Sequence, residues 1–274
     1  MSYSVFYKIM QENPSFKESW DYNLCLILFA YQAHETYKLI VAANRDEFYE
    51  RPTAPVHYWK DHPYILAGRD LAKMGTWMGM TTTGRFASLT NYRNPEEQSE
   101  GKRSRGELVA DFLKDHVSPE TFMHEAAKKR TQYPGYNLLA GDTKELYYYS
   151  NIQDEVQRLE PGIYGVSNHL LNTDWPKVRR GKEGLSNLIA ENRGDLTEQL
   201  LTLLQHADPA SDDMLPKTGV SLEWERILSP IFIQSNGYGT RSSTVLLMSE
   251  DEIHLRERVF STEGLNDQQY TIRL

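Results

Sequence analysis

The sequence predicts an α+β domain in which two antiparallel sheets pack face to face and carry helices on their outer sides. Three observations point there. Short apolar runs bounded by turn residues fill the first ninety positions, two blocks of helical spacing interrupt the strands, and strand signals return between those blocks and again at the C-terminus. The order strands, two helices, strands, two helices, strands suits a layered arrangement. No internal repeat or low-complexity linker divides the chain, so a single domain is expected over 24–274, preceded by an extension at 1–23.

Residues 24–31 and 38–43 are rich in Leu, Ile, Val and aromatics and are separated by the polar "QAHET", which reads as an antiparallel hairpin. Further strands are expected at 64–67, 76–81 and 86–90, with "TTTG" turning the chain between the last two. Leu108, Val109, Phe112 and Leu113 share one helical face, and "SPET" at 118–121 offers a Ser N-cap with Pro at the first helical position. Two helices are therefore expected within 104–132. Strands follow in "YNLLAG", "ELYYYS" and "GIYGVSN". A second helical block spans 174–206, where Asp195 and Glu198 have capping-box spacing and Leu196, Leu200, Leu203 and Leu204 form an apolar face. The loop 208–219, "DPASDDMLPKTG", is expected to be exposed. "STVLLMS", "EIHLRERVF" and "YTIRL" close the chain as strands.

Composition narrows the function. A formal charge of −8 with scattered Lys and Arg offers no basic stripe for a phosphate backbone, so a nucleic-acid partner is not expected. No run approaches the length and apolarity of a membrane span. The first 23 residues lack the apolar core of a secretory signal, and a cytoplasmic protein is expected. The single cysteine, Cys25, cannot form an intramolecular disulfide, which suits a reducing compartment and leaves a thiol that is either inert core or reactive.

Common catalytic signatures are missing. The chain has no Gly-Lys-Ser/Thr phosphate loop, no Gly-x-Gly-x-x-Gly after a strand and no His pair at zinc-binding helical spacing, so no metal site is expected. "GVSNH" misses the nucleophile elbow because His169 stands where a second Gly is needed. What remains is a polar set at strand ends: Cys25, the run Asn44-Arg45-Asp46-Glu47, Asn91, Asn168 and Arg241. Each has an ordinary reading: a small core residue, a turn, strand-end caps and an ion-pair partner.

Together the set fits one chemistry. A cysteine that is the true N-terminus can use its own α-amine as the base that takes the thiol proton. A guanidinium nearby favours thiolate, and a carboxylate can hold the amine. Asn amides can donate to the oxyanion that forms on attack at a carbonyl, each worth roughly 3 kcal/mol in other enzymes.

The segments "CLILFAYQ…LIVAANRDEFYERPT", "AGRDL…GTWMGM…GRFASLTNYR" and "GTRSSTVLL" resemble the NRDE family, named for residues 44–47, whose eukaryotic members are transport and Golgi organisation proteins. The resemblance covers residues 24–274. It implies the N-terminal nucleophile hydrolase fold, four layers ordered αββα. A more distant likeness to the choloylglycine hydrolase and penicillin V acylase group implies the roles. Cys25 is then the nucleophile, Arg45 and Asp46 tune the thiol and its amine, Asn91 and Asn168 form the oxyanion hole, and Arg241 supports cysteine or substrate. Asn44, Glu47, Trp77, Tyr92 and His169 are the substrate-side candidates. The implied partner is a small linear amide or related acyl compound, with no cofactor. The same family resemblance leaves a second reading open, a non-catalytic haem or lipid trafficking protein, in which His169 is the axial-ligand candidate. The oligomeric state is left open.

One departure matters. Relatives usually carry the cysteine directly after the initiator methionine, whereas here 24 residues precede it. Three explanations compete: a propeptide removed before Cys25, a start called too early with true initiation at position 24, or a real extension on an inactive protein. The second is favoured, because "MSYSVFYKIMQENPSFKESWDYN" lacks the periodicity of a structural element and resembles no family segment.

Overall fold

The computed structural model describes residues 24–191, 193–261 and 264–274. The extension at 1–23 lies outside them. Thirteen strands among the described residues form two antiparallel sheets. The first runs β10(Gly162–Val166), β1(Leu24–Tyr31), β2(Leu39–Phe48), β11(Tyr238–Met248), β12(Glu252–Ser261), β13(Gly264–Arg273). The second keeps sequence order: β3(Thr53–Tyr58), β4(Ile65–Asp70), β5(Met78–Thr81), β6(Phe86–Asn91), β7(Tyr136–Gly141), β8(Leu146–Ser150), β9(Glu155–Arg158). Helices α1(Gly106–Lys114) and α2(Pro119–Lys128) cover the second sheet, while α3(Pro176–Glu191) and α4(Leu196–Leu204) cover the first; α5(Leu222–Leu228) is a short element before β11.

Strand periodicity explains the layering. On β1, Ile27, Phe29 and Tyr31 point between the sheets, where they meet Met80, Phe86, Leu139 and Tyr148 of the second sheet. Leu26, Leu28 and Ala30 point the other way, onto Val178, Leu185, Leu200 and Leu204 of α3 and α4. On the far side, Ala87, Leu138 and Tyr149 meet Val109, Phe112 and Met123 of α1 and α2. Three apolar seams therefore separate four layers, αββα, as the sequence resemblance implied. Each fully buried Leu or Phe in these seams stabilises by about 1.5–3 kcal/mol.

Both predicted caps form. Ser118 accepts from the Thr121 amide at 3.2 Å, with Pro119 at the first helical position, and Asp195 accepts from the Thr197 amide at 2.9 Å. Glu198 serves a different role from a capping-box partner: it bonds Arg256 at 2.9 Å and Arg258 at 3.1 Å. No residue of the loop 208–219 is buried.

Several boundaries differ from the sequence reading. β2 does not stop at Ala43 but continues through Asn44, Arg45, Asp46 and Glu47 to Phe48, because β1 and β11 flank it and satisfy its backbone. β3 and β9 are additional to that reading: both are sheet edges, one containing Pro55 and the other the polar run "EVQR". β13 begins at Gly264, well before "YTIRL", since an exposed edge strand needs no apolar alternation. α5 has only seven residues, too few to show helical periodicity.

Candidate functional site

The antiparallel register sets Cys25 directly opposite Arg45 and residue 24 opposite Asp46. Cys25 has the parity of Ile27 and Phe29, so its thiol faces the space between the sheets. That space opens there into a cavity of about 1030 Å³. Among the residues lining it are Cys25, Arg45, Asp46, Glu47, Trp77, Asn91 and Arg241. Seven of the eleven sequence candidates, drawn from four strands and the loop before β5, thus share one cavity wall.

The thiol is 4% exposed. Burial pushes its pKa up to about 12, and the Asp46 carboxylate adds to the rise, while the Arg45 guanidinium and the Asp46 backbone N–H pull against it. Unassisted, Cys25 is a protonated thiol at neutral pH and needs a base beside it to act as a nucleophile. Its carbonyl is fixed from below: Ser167 Oγ lies 2.9 Å from the Cys25 carbonyl oxygen and 3.0 Å from Asn168 Oδ1.

Arg45 donates to Glu47 at 3.3 Å, and Glu47 also meets Arg51 at 3.5 Å. Nη1 of Arg45 is buried and has no hydrogen-bond partner among the described residues. Asp46 accepts from Thr240 Oγ1 at 2.6 Å through Oδ1. Burial raises the Asp46 pKa, held back chiefly by the positive charge of Lys177.

Arg241 owes its place to a β-bulge. The β2–β11 register shifts between Thr240 and Ser242, leaving Arg241 as the extra residue. Its Nη1 donates to the Phe48 and Arg51 carbonyls at 2.8 and 3.2 Å. Burial, and then the like charge of Arg45, lower its pKa.

The remaining four candidates sit elsewhere. Asn168 lies under the cavity wall, donating from Nδ2 to the Asn91 carbonyl at 3.0 Å. Asn44 has the opposite parity to Arg45 and faces the helical layer. It donates to the Leu204 and Ile231 carbonyls at 2.8 and 2.9 Å and accepts from Ser243 at 2.6 Å. Tyr92 and His169 pair with each other, with the Tyr92 hydroxyl 3.0 Å from Nε2, while Thr173 Oγ1 is 2.8 Å from Nδ1. Burial, helped by the charge of Arg93, lowers the His169 pKa.

Two charged groups near Cys25 are not among the sequence candidates. Glu257 lines the cavity and accepts from the Val56 amide at 2.7 Å; burial raises its pKa. Its signal is present in the sequence, since Ile253, Leu255 and Glu257 share the buried side of β12. Lys177, 2% exposed in the first turn of α3, gives no such signal, because a lysine in "WPKVRR" looks like a solvated helix residue.

Among solved structures, the chain resembles a Caenorhabditis elegans N-acylethanolamine-hydrolyzing acid amidase ortholog, with TM-score 0.45, 12% identity, 81% of this chain and 92% of that one. It also resembles a mutant of the conjugated bile acid hydrolase from Clostridium perfringens, with TM-score 0.32, 12% identity, 91% of this chain and 85% of that one. These likenesses are too low to carry an argument about activity. Sequence relatives are nearer. The Bos taurus transport and Golgi organization protein 2 homolog is 33% identical, covering 83% of this chain and 90% of its own length. The Homo sapiens homolog is 31% identical over 83% and 90%, and the Drosophila melanogaster transport and Golgi organization protein 2 is 27% identical over 87% and 93%. With the family's sequence model matching residues 24–262, which include both Cys25 and Asn44-Arg45-Asp46-Glu47, the chain belongs to the Transport and Golgi organisation 2 family.

Proposed function

We propose that this protein is a cysteine N-terminal nucleophile hydrolase acting on a linear amide or related acyl bond. One observation carries the reading: the chain's single cysteine is the second residue of β1 in an αββα fold, on the wall of a large cavity and in register with Arg45. Cys25 becomes the first residue of the active chain, and its α-amine takes the thiol proton. The thiolate attacks the carbonyl carbon, and the amide of Asn91, on the cavity wall, stabilises the oxyanion, while Asn168 holds the Asn91 carbonyl from below. The C–N bond breaks as the amine's proton passes to the leaving nitrogen. Water then attacks the thioester, giving its proton to the amine, and the carboxylic acid leaves as the thiol is restored.

The test is a Cys25→Ala chain assayed beside the unaltered one on acyl p-nitroanilides, with intact mass used to trap the acyl-enzyme. Loss of turnover and of the acyl adduct in a folded variant supports the reading. Equal turnover in both rejects Cys25 as nucleophile.

A haem-binding protein using His169 fits less well. Both ring nitrogens already lie within hydrogen-bond distance of Tyr92 and Thr173, and the residue is outside the cavity lining. No described helix is long and apolar enough to cross a membrane.

A further inference from the structure

Two buried groups of opposite charge at the head of β1 lack hydrogen-bond partners among the described residues: Oδ2 of Asp46 and Nζ of Lys177. The two do not form a direct ion pair, yet each is the other's principal opposing charge. Such an arrangement is costly unless a third polar group completes it.

The strand register shows where that group belongs. Asp46 stands opposite residue 24, the position just before Cys25. In a chain that begins at Cys25, the bond to residue 24 is replaced by a free α-amine at that place. Other charges around Lys177 are accounted for. Glu225 of α5 accepts from Arg93 at 2.9 Å and from Thr218, and Arg93 lies over the Trp175 ring. Arg45 and Glu47 on β2 pair with each other, and Arg241 at the bulge bonds backbone carbonyls. His169, after β10, is held by Tyr92 and Thr173.

We propose that Lys177 and Asp46 form the seat of the N-terminal amine, with Lys177 as a positioning residue that holds the amine in its neutral, proton-accepting form. Asp46 Oδ2 accepts a hydrogen bond from the amine and fixes its direction. The Lys177 ammonium disfavours a second positive charge beside it, so the amine stays ready to take the Cys25 proton. This rests on the hydrolase reading above.

The experiment compares Lys177→Met, Lys177→Gln and Lys177→Arg in the protein as expressed, with the N-terminus read by intact mass. Two probes are used: decanoyl p-nitroanilide for turnover and iodoacetamide for Cys25 alkylation. Loss of the cation lets the amine protonate more readily. The acidic limb of kcat/KM should therefore move up by about one pH unit in Lys177→Met and Lys177→Gln. Lys177→Arg should restore it. The alkylation profile should move the same way, even where the anilide is a poor substrate. A uniform loss with an unmoved limb in a folded variant gives Lys177 a structural role only and overturns the proposal. If the Met variant does not fold, the Gln and Arg variants decide. A Cys25→Ala chain as active as the unaltered one, or a chain retaining residues before Cys25, sinks the hydrolase reading itself, whatever the Lys177 variants do.

Discussion

Cys25 and Arg45 are register partners across the β1–β2 ladder, and both line the cavity between the sheets. The pairing gives a buried thiol a cation that favours its ionised form, against a burial effect that pushes the pKa up to about 12. Arg45→Met should therefore slow iodoacetamide modification of Cys25 by about tenfold at around pH 8. Peptide mass mapping of the modified cysteine measures it. An unchanged alkylation rate in a folded variant contradicts the assignment of Arg45 to the thiol.

Asn44 is expected to act through stability. It is fully buried and serves two carbonyls of the helical layer, so Asn44→Ala leaves the Leu204 and Ile231 oxygens short of a donor and should cost about 2–4 kcal/mol. Thermal or urea unfolding checks the loss. Alkylation of Cys25 in the folded fraction should stay within about twofold of the unaltered chain. A large fall in reactivity without loss of stability would return Asn44 to the site.

A close backbone approach shapes one cavity wall. A Cβ on Gly75 would lie 2.6 Å from the Gly106 carbonyl carbon, backbone that cannot swing aside, and both glycines line the cavity. Gly75→Ala should cost about 2 kcal/mol or more through displacement of the start of α1. Hydrogen exchange localised at the first turn of α1 would report it. A variant as stable as the parent, with α1 equally protected, contradicts the account.

The β12–β13 edge should be acid-sensitive. Arg258, and then Arg256, hold the Asp267 carboxyl below its ordinary range. A depressed carboxylate pKa gives stability that is present above the unfolded value near 3.9 and is lost as pH falls through the folded value. The group is partly exposed, so screening limits the effect. Asp267→Asn should cost about 1 kcal/mol at neutral pH, and the gap from the parent should narrow as the pH falls below the unfolded value and the carboxylate protonates. A gap independent of pH contradicts the ion-pair origin.

Central strands and the four-layer order are legible because Leu, Ile and Val alternate or cluster with the correct period, as in 24–31 and 86–90. The edges are not, since β3 carries a proline and β9 and β13 are polar, so nothing in their composition demands burial. The site is legible where polar residues interrupt apolar strands, at Cys25 and at Arg45 to Glu47. Strand parity refines it. Along β2, parity separates Asn44, which faces the helices, from Arg45 and Glu47, and along β12 it turns Glu257 inward. Lys177 lies beyond sequence reasoning, because only the packing of α3 against β1 and β2 buries it.

The central claim is that Cys25 works as an N-terminal residue. Its most direct test is the N-terminal sequence and intact mass of the protein purified from its own cells. The account predicts a chain that begins at Cys25. A chain that begins at Met1 or Ser2 leaves the buried thiol without its amine base and contradicts it.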